Sequence, residues 1–217
     1  MGYILNIETA TKNCSVSLAK DGETKVLREY AGEGYAHAEK LHFFIEEALS
    51  EAGTSFKDLD AVAVSMGPGS YTGLRIGVSA AKGLCYSLGI PLIAVDTLEV
   101  LAKAIGIGEG VIIPMVDARR MEAYTAVFDA GYNKLRETKA EIITEDSFSE
   151  FGGVKHLLGD GSGKCRDILD DDAFVYHDVL YPSAKEMGAL SFDKYKKSDT
   201  VDVAYFEPFY LKDFIVK

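Results

Sequence analysis

The sequence predicts a duplicated α/β fold: a mixed βββαβαβα sheet in the first lobe and a trimmed copy in the second. Three observations carry this. Three short strand patterns open the chain, two strand–helix crossovers follow them, and the opening pattern starts again near residue 111.

Tyr3 to Glu8 reads as a strand, and Cys14 to Lys20, with Val16 and Leu18 in alternation, as a second. A third runs from Thr24 to Tyr30, and Asp21-Gly22 between them is a hairpin signal. Ala38 to Ala52 carries Leu41, Phe44, Ile45, Ala48 and Leu49 at helical spacing, with Gly53 as its stop. Asp60 to Met66 is a buried strand feeding the glycine-rich loop Gly67 to Gly73. A helix follows to Leu88, ended by Gly89; then come a strand, Pro91 to Asp96, and a helix N-capped by Thr97. Gly106 to Gly110 divides the chain into a first lobe, 1–106, and a second, smaller lobe, 107–217, whose C-terminal segment is free to pack back on the first. In the second half, Val111 to Asp117 matches Tyr3 to Glu8 as an apolar strand ending in a carboxylate. Met121 to Asp129, a turn at Gly131, and Lys134 to Glu141 complete the repeated meander.

Paired lobes that each open on a meander whose first strand ends in an acid resemble the actin, hexokinase and Hsp70 superfamily, with its ribonuclease H-like (ASKHA) repeats. That resemblance implies a nucleotide or phosphate site between the lobes, with the acids close to it.

Composition narrows the function classes. With 34 acidic against 23 basic residues the formal charge is −11, which repels a phosphate backbone, so nucleic acid would be met only through another protein. Three scattered cysteines suggest a reducing compartment rather than a disulfide framework. No secretory leader, myristoylation pattern or apolar membrane-length stretch is legible, so a cytoplasmic protein with no membrane partner is expected.

The loop Gly67-Pro68-Gly69-Ser70-Tyr71-Thr72-Gly73 lies between a strand and a helix, where backbone amides and the helix dipole favour an anion. Glu8, Gly67, Gly69, Ser70, Thr72, Gly73 and Asp117 are therefore the candidate vestigial nucleotide or phosphate site, and Arg75, Arg119 and Arg120 candidate charged contacts of the cleft. Equally, the glycines can serve a tight turn beside close packing, and the two acids can cap their own turns. The loop nearly matches a dinucleotide fingerprint, with Asp96 near the ribose-binding position, but its third glycine is late and a meander precedes it. Gly159-Asp160-Gly161-Ser162-Gly163-Lys164-Cys165 ends like a P-loop, but Leu158 stands where that motif begins and Cys165 where it needs Ser or Thr, so a turn entering a helix is expected. His37 and His42 are five apart, and His156 and His177 isolated, so no metal site is expected.

Gly67 to Gly77 (GPGSYTGLRIG) resembles the signature of the TsaB (YeaZ) family, and Asp117-Ala118-Arg119-Arg120 with Glu122-Ala123-Tyr124 is similar to that family's second-lobe motif. Ile4 to Thr11, Gly159-Asp160-Gly161, Pro182-Ser183-Ala184 and Pro208-Phe209-Tyr210-Leu211-Lys212 fall in family order. The family commonly has Asp at the place of Glu8. The longer catalytic paralogue, TsaD, carries a His-x-x-x-His metal motif that this chain lacks. The resemblance implies a non-catalytic partner of TsaD, acting with TsaE in threonylcarbamoylation of the adenosine next to the tRNA anticodon. It implies no catalytic residue, no required cofactor with weak nucleotide binding at most, tRNA contact only through the complex, and a homodimer when TsaD is absent. It places the partner interface on the first two helices, with Leu41, Phe44, Ala48, Gly77, Ala80 and Ala81 as candidates. The competing expectation is an ATP-dependent carbamoyl or phosphoryl transferase with phosphates at Gly67 to Gly73 and metal on Glu8 and Asp117. A metalloprotease lacks metal ligands in this sequence.

Overall fold

The computed structural model describes residues 2–32 and 37–212. Strands β1 (Tyr3–Glu8), β2 (Cys14–Lys20), β3 (Glu23–Tyr30), β4 (Leu59–Ser65) and β5 (Leu92–Val95) form one sheet in the order β3-β2-β1-β4-β5. The meander is antiparallel, and β4 and β5 add in parallel. The two-residue hairpin loop holds Asp21 and Gly22 at φ 52° and 86°, which its Asp-Gly sequence tolerates. Helices α1 (His37–Glu51) and α2 (Tyr71–Leu88) cover one face. Gly89, at φ 68°, ends α2 in the left-handed conformation and donates its N–H to Cys85 O at 2.9 Å.

The second sheet repeats the topology strand for strand: β6 (Val111–Asp117), β7 (Glu122–Asp129), β8 (Lys134–Ile142), β9 (Lys155–Leu158) and β10 (Phe174–Tyr176) in the order β10-β9-β6-β7-β8. The trimming is in its helices. Where α1 stands in the first repeat, 143–154 holds only turns, and a single 3-10 turn, Gly163–Cys165, replaces α2.

The two remaining helices cross over between the repeats. Helix α3 (Thr97–Ala102), which follows β5, sends Leu98, Leu101 and Ala102 into the core built by Ile112, Val116, Ala126 and Phe128 of the second sheet. Helix α4 (Ala184–Lys196), at the end of the second repeat, packs instead on the first sheet, where Ala184 and Met187 meet Ile4, Ala63 and Ile93. Buried serines dock it: Ala184 N donates to Ser15 Oγ at 2.6 Å and Ser17 Oγ to Ala184 O at 2.7 Å.

The cap of α3 differs from expectation. Asp96, not Thr97, is the N-cap: its Oδ1 accepts from Leu98 N at 2.7 Å and Glu99 N at 3.2 Å. A carboxylate one residue earlier reaches the free amides of the first turn, and Thr97, fully buried, accepts Gly67 N instead at 3.1 Å.

Candidate functional site

The glycine loop is packed on both sides by its own chain. On the inner side, Gly69, Gly73 and Gly77 recur every four residues, so they share one face of α2 and its N-terminal approach. A Cβ at these positions would collide with Ala10 O, Thr9 O and Thr9 Oγ1 respectively. Ser70 N donates to Ala10 O at 2.6 Å, and Thr9 Oγ1 to Gly73 O at 2.8 Å. Ser70 also caps the helix, its Oγ accepting Gly73 N at 3.3 Å. On the outer side, Phe209 N donates to Met66 O at 2.7 Å, and a Cβ at Gly67 (φ 110°) would sit 2.8 Å from Phe209 O. The C-terminal segment reaches this point along the first lobe, where Val201 bridges Leu92 and Lys82 Nζ donates to Ala204 O and Phe206 O, each at 3.0 Å. Of the remaining loop candidates, Thr72 is exposed.

The strand-end acids also serve their own loops. Glu8 is fully buried, and its Oε1 accepts Ala10 N at 2.6 Å. Desolvation pushes its carboxyl up to about 7, against the lowering effects of that amide and the nearby Ser65 hydroxyl. Asp117 is exposed, accepts Arg119 N at 3.0 Å and is ion-paired with Lys164. Its own N–H goes to Asp160 Oδ1 at 2.9 Å. Among the described residues, no three His, Cys, Asp or Glu side chains are grouped to hold a metal ion. Asp96, the ribose-acid candidate, is committed to the α3 cap and to Lys134 Nζ, 2.8 Å from its Oδ2.

A relationship visible only once both sheets are laid side by side ties the two loops together. Gly159-Asp160-Gly161-Ser162 follows β9 as Gly67-Pro68-Gly69-Ser70 follows β4, with Gly159 at φ 101° and Gly67 at 110°. A Cβ at Gly159 would collide with Met115 O, and Gly161 N donates to that oxygen at 3.0 Å. The shared Gly-x-Gly-Ser after the fourth strand of each repeat is the signal in the sequence; likeness to a P-loop hides it.

The three candidate arginines stand along one ribbon. The Arg75 guanidinium lies 4.0 Å from the centre of the Tyr71 ring, and its Nε donates to Tyr210 Oη at 3.3 Å. Two residues on, Lys212 Nζ pairs with Glu122 and donates to Ala118 O at 3.3 Å, which brings the C-terminal segment to the β6–β7 turn. There Arg119 and Arg120 are exposed, with φ of 70° and 52°.

The helix residues expected at a partner interface are placed inward. Leu41, Ala48 and Ala81 are fully buried, Phe44 and Gly77 are buried, and Ala80 is half-buried against the same core. The outward faces of α1 and α2 present Phe43, 58% exposed, and Tyr86, 86% exposed. Both lie off the apolar stripes of their helices, which is the sequence signal that distinguishes surface from core. The histidines expected to be isolated, His156 and His177, meet: parallel pairing of β9 and β10 sets His156 Nδ1 3.0 Å from His177 Nε2.

Two five-stranded sheets of one topology that exchange helices place this chain in the actin-like, ribonuclease H-like class of α/β proteins. YeaZ from Pseudomonas aeruginosa has that same overall fold, with a TM-score of 0.81 over 97% of this chain and 100% of that one at 24% identity. The family model described as TsaD, tRNA N6-adenosine threonylcarbamoyltransferase, matches residues 33–213. The chain is 31% identical to the tRNA threonylcarbamoyladenosine biosynthesis protein TsaB of Escherichia coli, over 97% of this chain and 94% of that protein. It is 28% identical to the protein of the same name from Haemophilus influenzae, over 97% and 93%. The chain belongs to the TsaB (YeaZ) family of tRNA threonylcarbamoyladenosine biosynthesis proteins.

Proposed function

We propose that this chain is a non-catalytic partner in the threonylcarbamoylation of tRNA. It pairs with a TsaD-type catalytic subunit and, together with a TsaE-type ATPase, supports transfer of the threonylcarbamoyl group to the adenosine beside the anticodon. The observation that carries this reading is the double packing of the glycine loop, with Thr9 and Ala10 on one side and Phe209 on the other. A loop used that way has its backbone engaged by protein where an active member of the fold class would admit phosphates. The buried Glu8 and the lysine-paired Asp117 support the same reading, since one is closed off from solvent and the other is already taken by a cation.

The partner surface in this reading is the outward face of α1 and α2 around Phe43 and Tyr86. A large exposed aromatic on each of two packed helices supplies anchors of the kind that dominate interface energetics. When the catalytic subunit is absent the same face takes a second copy. The chain needs no cofactor, binds nucleotide weakly at most, and works in the cytoplasm.

The test is reconstitution of the modification from unmodified tRNA, threonine, bicarbonate and ATP with the catalytic subunit, the ATPase and the synthetase that makes the threonylcarbamoyl adenylate. Product is expected only when this chain is added, and is expected to persist when Glu8→Gln and Asp117→Asn are combined. A double variant that still binds the catalytic subunit but yields no product assigns chemistry to this cleft. Equal product without the chain removes the assignment.

A further inference from the structure

The ribbon that joins α2 to the β6–β7 turn stands apart electrostatically from the rest of this chain. Overall the protein carries 34 acidic and 23 basic residues. Many of its described cations are accordingly held by carboxylates: Arg28 by Glu47 and Glu51, Lys134 by Asp96, Arg136 by Glu141 and Glu150. At the β6–β7 turn the assignment is different. Asp117 and Glu122, the acids that flank Arg119 and Arg120, are each taken by a lysine from a distant part of the chain, Lys164 and Lys212. Asp160, the next acid, is half-buried, and that burial raises its pKa. Arg119 and Arg120 have no ion pair among the described residues, although the chain has acids in excess.

The turn holds both arginines outward at positive φ, a conformation that non-glycine residues adopt at a cost and that Asn or Gly would take more readily. The C-terminal segment links this turn to the third guanidinium. Lys212 grips Ala118 O while Tyr210, two residues earlier and so at most about 7 Å away along the chain, touches Arg75. Arg75 is exposed, and its polar partners are aromatic: the Tyr210 hydroxyl and the Tyr71 ring, with Glu207 near but not bonded. Phe209 and Tyr210 are themselves 38% and 37% exposed. The result is a strip of three guanidiniums without carboxylate partners, running over both lobes beside the half-buried Tyr71 and the exposed Phe209 and Tyr210.

We infer that this strip, Arg75–Tyr71–Tyr210–Arg119–Arg120, contacts the sugar–phosphate backbone of RNA held by the assembled complex. Guanidinium forks match phosphate geometry, and aromatic faces accept unstacked bases. An extended open strip suits a polymer rather than a mononucleotide, which needs an enclosing pocket. The net charge of −11 keeps the isolated chain from binding RNA, so the strip acts only after a partner has brought the RNA close. The inference rests on the proposed role beside the catalytic subunit.

The experiment measures tRNA affinity of the complex with the catalytic subunit across a salt series. It compares the native chain with one carrying Arg119→Asn and Arg120→Gly, which removes both charges with residues suited to positive φ, and one carrying Arg119→Lys and Arg120→Lys. Association of each chain with the catalytic subunit is followed separately by size-exclusion chromatography. The expected result is intact association, weaker tRNA binding by the uncharged variant, and a slope of log K against log salt shallower by about 0.7–0.9 for each phosphate no longer neutralised. The lysine variant should keep most of the slope. Unchanged affinity and slope in the uncharged variant, with association intact, overturn the inference and leave the partner role standing. Loss of binding to the ATPase with tRNA affinity unchanged also overturns it and assigns the strip to an acidic protein surface. If the native chain does not associate with the catalytic subunit, the partner role fails, and this inference falls with it.

Discussion

Thr9 and Gly77 meet so closely that the threonine hydroxyl occupies the place a Cβ on residue 77 would need. The same hydroxyl donates to Gly73 O at 2.8 Å, so one side chain both fixes the register of α2 and fills its notch.

From this contact Gly77→Ala is expected to destabilise the fold. Overpacking a closed interior costs about 1–3 kcal/mol, which exceeds the roughly 1 kcal/mol that alanine returns through helix propensity. In a Thr9→Ala background the collision is relieved, so the second substitution should cost less, and a double-mutant cycle in urea reads that coupling. A higher urea midpoint for Gly77→Ala in the native background would show that α2 does not lie against Thr9.

Glu8 makes stability depend on pH. Its carboxyl is raised from 4.5 to about 7 by burial. A raised carboxyl holds its proton in the folded chain at pH values where the unfolded chain has lost it. The stabilisation is therefore present in full below pH 4.5, declines as pH rises and is gone above about 7. The change over that window is of order 3 kcal/mol. Glu8→Gln, which cannot ionise, should flatten that decline and be the more stable of the two chains at pH 8. Denaturant midpoints at pH 5 and pH 8 for both chains check this; parallel pH profiles would mean that Glu8 stays ionised in the fold.

How far the sequence alone reached follows from what each signal measures. Periodicity and turn chemistry report local structure, so β1, β2 and β6 and the Asp21-Gly22 hairpin were legible, and the repeated meander gave the duplicated architecture. The exchange of α3 and α4 between sheets was not, because an amphipathic helix announces an apolar face but not the sheet that receives it. The same limit holds for the helix residues: small or apolar side chains such as Ala81 and Leu41 are equally apt for a core and for an interface, and in the fold they pack in its core. Glu8 was legible as a strand-end acid, but its burial was not, because the Ser65 hydroxyl beside it comes from β4, far along the chain. The histidine pair is likewise a product of strand pairing, which a spacing rule for one helix cannot detect.

That pair makes His177 a reporter of the second sheet. Burial lowers its pKa below the ordinary 6.5, the neighbouring His156 lowers it further, and Asp178 opposes both. A histidine with a depressed pKa stabilises the fold above its unfolded value and loses that contribution as pH falls through the folded one. An NMR titration of the imidazole signals should show His177 protonating below 6.5 and moving upward in His156→Gln, which keeps a polar side chain but removes the second imidazole. A His177 titration that His156→Gln leaves in place would show that the two rings are not coupled in solution.

The partner face can be tested without touching the core. Charge reversal at Ala81 would be uninformative, because the residue is fully buried and an unpaired charge there would unfold α2 from the sheet. Phe43 and Tyr86 escape this objection: at 58% and 86% exposure they contribute little to the packed interior, so Phe43→Asp and Tyr86→Asp should leave thermal stability within about 0.5 kcal/mol of native. If they are the anchors of the interface, each should weaken association with the catalytic subunit by about 2 kcal/mol, roughly thirty-fold. Both should also suppress formation of a homodimer by the chain alone if, as proposed, one face serves both partners in turn. Ile142→Asp provides the control: it alters an exposed apolar residue of comparable size, 69% exposed, on the edge strand of the other sheet. Titration calorimetry with the catalytic subunit and sedimentation of the chain alone should therefore separate the two helix variants from the strand variant. If Ile142→Asp weakens association and the helix variants do not, the interface belongs to the second sheet, and α1 and α2 serve only to cover the first.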